Sequence, residues 1–330
     1  NNYGIAAPTP TGFILDPGSS ALLASGNYIY MAIRRGPLAA PTDATKVFAI
    51  DTGNGNGSSS SPEFVSGFPV DLALLRPLTS ANNNLYSRLT ANKYLSTNST
   101  ASETTDATDY RFDSNTGWFF GSTTYTSWMW KRAPSYFDVV TYTGTGSART
   151  VPHGLTIPPE MMWIKCRSNT DNWAVFHKDL GATKVIFLNN DIAASTLSTR
   201  FNDTAPTSSV FTVGTDAEVN GSGRTYIAYL FATVAGVSKV GSFVADGNAQ
   251  DIDCGFSSGA RFVLIKKSSG TFDWRVWDSV RGIVAGDDPY LFLNSNAAQA
   301  TNGSWINPLS SGFSITNFFS NGTYIFYAIA

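Results

Sequence analysis

Charge is what this chain most lacks. Of its 330 residues only 14% are Asp, Glu, Lys or Arg, and the net charge is −2. An average soluble protein carries about 25% charged residues, so loops of Ser, Thr, Asn and Gly must cover the surface instead. A phosphate-binding face needs clustered Lys and Arg. Basic residues stand together at most in pairs, such as Lys131-Arg132, which argues against nucleic acid as a partner.

Cysteine and histidine are nearly absent too. Cys166 and Cys254 cannot build a disulfide framework, and neither belongs to a CxxC pair. A zinc site needs three or four converging ligands, and the chain has two histidines, His153 and His177. No metal or cofactor is expected. No apolar run approaches the roughly 18–20 residues that cross a bilayer as a helix, so no membrane insertion is expected. The opening residues, NNYGIAAPTPTGF, have neither a basic flank nor an apolar stretch and do not form a signal peptide. They read as the middle of something longer. Helical periodicity with caps is missing as well; AAST and AAQA give one turn at most.

What is present is repetition. GRTYIAYLFA ends at Ala232, NGTYIFYAIA ends the chain, and SGNYIYMAIR stands near the start. These place Tyr28, Tyr226 and Tyr324 in one column, and a degenerate copy, TSWMWKRA, is expected to add Trp128. A period near a hundred residues marks repeated domains rather than a solenoid. Other columns follow: Gly67, Gly154 and Gly255 at a turn, then the apolar strands VDLALLR, MMWIKCR and FVLIKKS, then Trp173 and Trp274. Asn98, Asn189 and Asn294 align after these. MMWIKCR and NWAVFHK, separated by SNTD, read as a hairpin.

Each unit alternates β-branched and aromatic residues between Gly, Asn, Asp and Ser boundaries. The expected fold is all-β: tandem antiparallel β-sandwiches with an internal repeat of about 98–100 residues. Residues 1–34 read as the end of a preceding repeat or a linker, 35–135 as a divergent sandwich, and 136–233 and 234–330 as two well-matched ones, all on a string.

Several short patterns carry bland readings. GFSSG at Gly255–Gly259 matches a nucleophile elbow around Ser257, but that motif needs a helix after it, and a strand follows. Asp246 to Asp253 offers carboxylates without the remaining ligands of a calcium loop and reads as a hairpin turn at Asp246-Gly247. The Asn-x-Ser/Thr sequons at Asn56, Asn98, Asn202, Asn220, Asn302 and Asn321 read as turn chemistry. No catalytic residue is assigned. Aromatics make up 13% of the chain. Trp277, Trp305 and Trp118, less regular than the others, are the expected surface-binding aromatics, able to stack on a sugar ring.

The run from YTGTGSARTVPHGL through PPEMMWIKCRSNTDNWAVFHK to RTYIAYLFA, and the closing GIVAGDDPYLFLN and GTYIFYAIA, resemble a β-rich domain repeated in structural proteins of marine tailed bacteriophages, including those of cyanobacteria. The resemblance implies a virion protein, located in the virion and extracellular, of tail-fibre type. It implies assembly as a homotrimer and with other virion proteins, and attachment to a host-surface glycan or protein. A purely structural virion part is the alternative. A glycan-active enzyme ranks last, because carboxylates are sparse and none pairs recognisably.

Overall fold

A computed structural model describes residues 6–9, 12–15, 39–53, 62–90, 92–106, 110–120 and 125–330. The reading of residues 1–34, Tyr28 included, lies outside these apart from two short paired strands, Ala6–Thr9 and Gly12–Leu15. The fold is all-β. Among the described residues the one α-helix is a single turn, Ala217–Asn220, capped by the Asp216 carboxylate accepting from the Glu218 amide.

The segment from Phe137 to Phe231 is the plainest example of the repeat. Its larger sheet runs, in spatial order, Phe137–Thr143, Thr225–Phe231, Met161–Cys166, Ala174–His177, Lys184–Phe187 and Ser195–Thr196. The expected hairpin is there, with Met161 opposite His177. Arg149–Pro152 and Val210–Val213 pair as a second, smaller sheet. The segments before and after build the same plan: a six-stranded sheet with the Tyr125–Trp130 strand inside it, and a five-stranded one with Gly322–Ile329 inside it. Each of these carries a three-stranded partner sheet.

Every repeat has its own core between its two sheets. Phe64 and Trp118 anchor the first, Leu155 and Phe211 the second, Trp277 and Phe313 the third. A fourth cluster joins all three. Trp128 and Trp130, Trp163 and Phe231, and Phe262 and Tyr327 meet in one buried core assembled from the outer faces of the larger sheets. The Phe231 ring lies 4.8 Å from Trp163, 5.1 Å from Tyr327 and 6.5 Å from Trp130. The repeats therefore pack around a common centre, where the sequence period alone predicts beads on a string. This also explains why MMWIKC is buried along its whole length: a strand covered on both faces reads as a continuous apolar run.

Pairing fixes the register. Trp128 stands opposite Leu74, Tyr229 opposite Trp163 and Tyr327 opposite Leu264. Trp128 thus belongs with Tyr229 and Tyr327, three residues along from the expected column. Tyr125 is the residue matching Tyr226 and Tyr324.

The seams between repeats are equivalent and close on themselves. The Trp173 indole N–H donates to the Ser96 carbonyl at 2.9 Å, joining the second repeat to the first. Trp274 donates to the Phe187 carbonyl at 2.8 Å, joining the third to the second. Asn83 holds the corresponding place in the first repeat and donates to the Phe292 carbonyl at 2.9 Å, which returns the chain to its third repeat. Each residue is clamped from behind by an aligned asparagine: Asn98, Asn189 and Asn294 accept the backbone N–H of Asn83, Trp173 and Trp274 at 2.8–2.9 Å.

Candidate functional site

Two of the three tryptophans expected at the surface are buried. Trp118 is 0% exposed because it fills, in Gly117–Phe120, the core position that Phe211 and Phe313 fill in the other repeats. Trp277 is also 0% exposed; it alternates with Val276 on its strand and points into the third repeat's core. Neither can meet a ligand. Trp305 is half-buried and lies at the edge of that same core.

Trp305 does not stand alone. Phe318 lies 5.4 Å from it and is 51% exposed, the one aromatic side chain among the described residues that is so open. Behind them stand Phe272, 5.9 Å from Trp305, and Tyr290 at 6.3 Å. The Arg275 guanidinium lies within this nest, 3.9 Å from the Trp305 ring centre and 4.3 Å from that of Phe272. Exposed Asn302 and Asn317 border the patch, and the Asn302 carbonyl accepts from the Trp305 indole at 3.3 Å. Gly303 makes the approach possible: it has φ +105°, and a side chain there would come within 2.8 Å of the indole nitrogen and 3.1 Å of Phe318.

The patch is held by a buried carboxylate. Asp288 accepts from the Val284 amide at 2.8 Å and from the Ile306 amide at 3.3 Å, next to Trp305. Burial pushes its carboxyl up to about 6. Sequence reasoning found Trp305 but missed Arg275 and Phe318. The available signal was an arginine directly after the Trp274 column, where the second repeat has Ala174.

The histidines are dispersed. His153 is half-buried, its Nε2 3.1 Å from the Thr207 carbonyl, and burial lowers its pKa. His177 is fully buried in the larger sheet, and the loss of solvent pushes it down to about 4. Its Nδ1 accepts from the Asp179 amide at 3.2 Å, and its Nε2 has no hydrogen-bond partner. The cysteines sit in separate cores, both free, and burial pushes the Cys254 thiol up to about 12. Ser257 lies on an exposed loop followed by the Phe262–Lys267 strand. No set of three or more His, Cys, Asp or Glu converges as metal ligands among the described residues.

Asp246 and Gly247 form a turn, as expected, but not a hairpin: the strands on either side, Ser238–Ala245 and Gln250–Asp253, belong to different sheets. The Asp246 carboxylate is engaged by the Asn248 amide and the Gln250 side chain, and that of Asp253 by the Gly255 amide. Among the sequons, Asn98 holds a seam clamp and Asn220 is fully buried.

Three fully buried cations occupy one equivalent position each: Arg76, Lys165 and Lys266. Lys266 donates to the Asp191 carbonyl across a seam at 3.0 Å, and Arg76 donates to the Ala297 carbonyl across another. Desolvation lowers both lysines to about 8. These contacts bind repeat to repeat. An open cleft of about 440 Å³ lies beside Arg261, Val284 and Pro308. It has no aromatic wall, and Arg261 already donates to the Ala330 and Phe48 carbonyls.

The Trp305–Phe318–Arg275 patch is therefore the place where the molecule brings an aromatic surface, exposed amides and a cation together, with the Asn302 Oδ1 already accepting from the Tyr290 hydroxyl at 3.0 Å. Residues 43–330 match a family described as a domain of unknown function (DUF7483). No curated protein matches the chain.

Proposed function

We propose that this chain, which belongs to the DUF7483 family, is a non-enzymatic appendage protein of a bacteriophage virion, of tail-fibre type, that attaches to host-surface glycan. The observation that carries the attachment reading is the patch on the third repeat. Phe318 is half exposed beside Trp305, with Asn302 and Asn317 at its border. Aromatic faces take the apolar side of a sugar ring, and amides take its hydroxyls. The resemblance of the repeats to virion domains supplies the setting. Loops at the ends of rigid sandwiches vary without disturbing the core, which suits a surface that must track a changing receptor.

The test is binding of the purified protein to whole cells and to a glycan array, with the length of any bound polymer followed. Saturable binding without cleavage, reduced at least about tenfold in Phe318→Ala, is the expected result. Binding that Phe318→Ala leaves untouched places attachment elsewhere, and shortening of the polymer makes the protein an enzyme. A second reading, a purely structural virion part, draws on the closed ring of repeats with its shared core. Absence of binding to any cell or glycan by correctly folded protein would favour it.

A further inference from the structure

Among the arginines of the described residues, Arg275 differs from the carboxylate-paired ones in what surrounds it, and from Arg76, whose Nε and Nη1 are likewise buried without an acceptor, in that Arg76 still donates to the Ala297 carbonyl. Arg281 is paired with Asp278 at 2.7 Å, Arg167 with Glu103 at 2.9 Å, and Arg200 with both Asp216 and Glu218 at 2.6 and 2.7 Å. Among the described residues the Arg275 side chain has no carboxylate within ion-pair distance and no hydrogen bond, and its Nε and Nη1 are buried without an acceptor. Its surroundings are rings: Trp305, Phe272, Tyr290 and Phe292, at 3.9, 4.3, 4.9 and 5.9 Å. The closest acid in sequence, Asp273, acts on it only through its charge; its Oδ1 accepts from the Asn294 amide at 2.8 Å.

A guanidinium stays charged at neutral pH, whatever its setting. Stacking on aromatic faces compensates part of its lost hydration, but its in-plane N–H donors still lack acceptors, which is costly in a buried place. The group that matches a guanidinium edge is a planar anion, a carboxylate above all. Immediately beside it the surface offers what a sugar ring requires, the Phe318 and Trp305 faces and the Asn302 and Asn317 amides.

We infer that the third repeat selects an acidic sugar, a uronate-type residue whose ring lies on Trp305 and Phe318 and whose carboxylate is received by Arg275. This rests on the glycan-attachment reading and narrows it to a ligand class. The other two repeats have Asn84 and Ala174 in place of Arg275, so the site is single and confined to the third repeat.

The experiment is calorimetric titration of the whole chain with a galacturonate oligosaccharide and, separately, with its methyl ester. The acid is expected to bind at least about tenfold more tightly than the ester, as a charge-assisted hydrogen bond implies. That preference should fall with added salt. Arg275→Gln should bring the acid down to the level of the ester while leaving the ester unchanged, and Arg275→Lys should retain part of the preference. Phe318→Ala, at an exposed position, should weaken both ligands without altering the melting curve.

Equal binding of acid and ester overturns the inference and leaves attachment standing. So does a loss of both ligands in Arg275→Gln accompanied by a lowered melting temperature, which makes the arginine a packing residue. If neither oligosaccharide binds, the inference falls. Whole-cell binding that disappears in Phe318→Ala would then keep the attachment reading alive, and its absence would remove that too.

Discussion

At the scale of single residues, the buried titratable groups decide how the protein responds to acid. His177 faces the Asp179 carboxylate, 4.0 Å from its Nδ1, while Lys178 on the same turn is bridged to Glu160 at 2.9 Å. Burial outweighs the carboxylates and holds its pKa near 4, against 6.5 in the unfolded chain. Above 6.5 the imidazole is neutral in both states. As pH falls below 6.5 the unfolded chain takes up the proton first, so stability drops until about pH 4. The linkage amounts to about 2 kcal/mol at pH 5. Asp288 works in the opposite sense: its raised pKa adds stability at low pH that is lost as pH rises through about 6. The clean measurement is therefore a comparison of variants. Between pH 7 and pH 5, wild-type protein should lose about 3 °C of melting temperature more than His177→Gln. Parallel losses would show that His177 does not titrate as its burial requires.

At the scale of elements, the seams repeat one device with two residue types. Trp173 and Trp274 each place one indole N–H on the carbonyl of a neighbouring repeat. Asn83 reaches three carbonyls, Phe292, Leu293 and Ser295, at 2.9, 3.0 and 3.1 Å. Trp173→Phe removes one donor while the Ser96 carbonyl keeps the Ser99 amide at 3.2 Å, so the expected cost is about 1 kcal/mol. Asn83→Ala strands more acceptors in a fully buried place and should cost about 2–3 kcal/mol. Urea denaturation of the two variants checks the order. If Asn83→Ala is the milder, the first repeat's seam is not the equivalent of the others. The aligned asparagines were legible in the sequence as a column, but their purpose was not. An Asn between strands reads as a turn residue, and only the folded chain shows it holding the residue that crosses to the next repeat.

At the scale of the whole molecule, the shared core makes the repeats dependent on each other. Taken alone, residues 136–233 would expose the face that carries Met161, Trp163, Tyr229 and Phe231, an apolar patch of the kind that drives aggregation. The full chain should accordingly unfold in one calorimetric transition, and the excised repeat should aggregate or bind a hydrophobic dye. Separate transitions, or a soluble isolated repeat, would show that the common core contributes little. The ring also bears on assembly. Three repeats already surround the centre that a homotrimer of single domains would share, so light scattering is expected to give the mass of one chain. A mass of three chains would mean that the outer surfaces assemble further.

The sequence by itself determined the strands, the period of about a hundred residues, the all-β class and most core columns, because alternation and turn residues are local and a repeated core must be written out in each copy. It also contained the evidence that Trp118 is a core residue, since Gly117-Trp118 reads against Gly312-Phe313. Only the tertiary structure decided the rest. A strand apolar on both faces does not say whether its second face meets solvent, a ligand or a neighbouring repeat, so the closed ring and its central core had no sequence signature. Exposure at a single tryptophan, or the absence of a partner for a single arginine, depends on which segments lie over it. Those segments come from distant parts of the chain, and Arg275 gained its setting from Phe272, Tyr290 and Trp305 only when the third repeat folded.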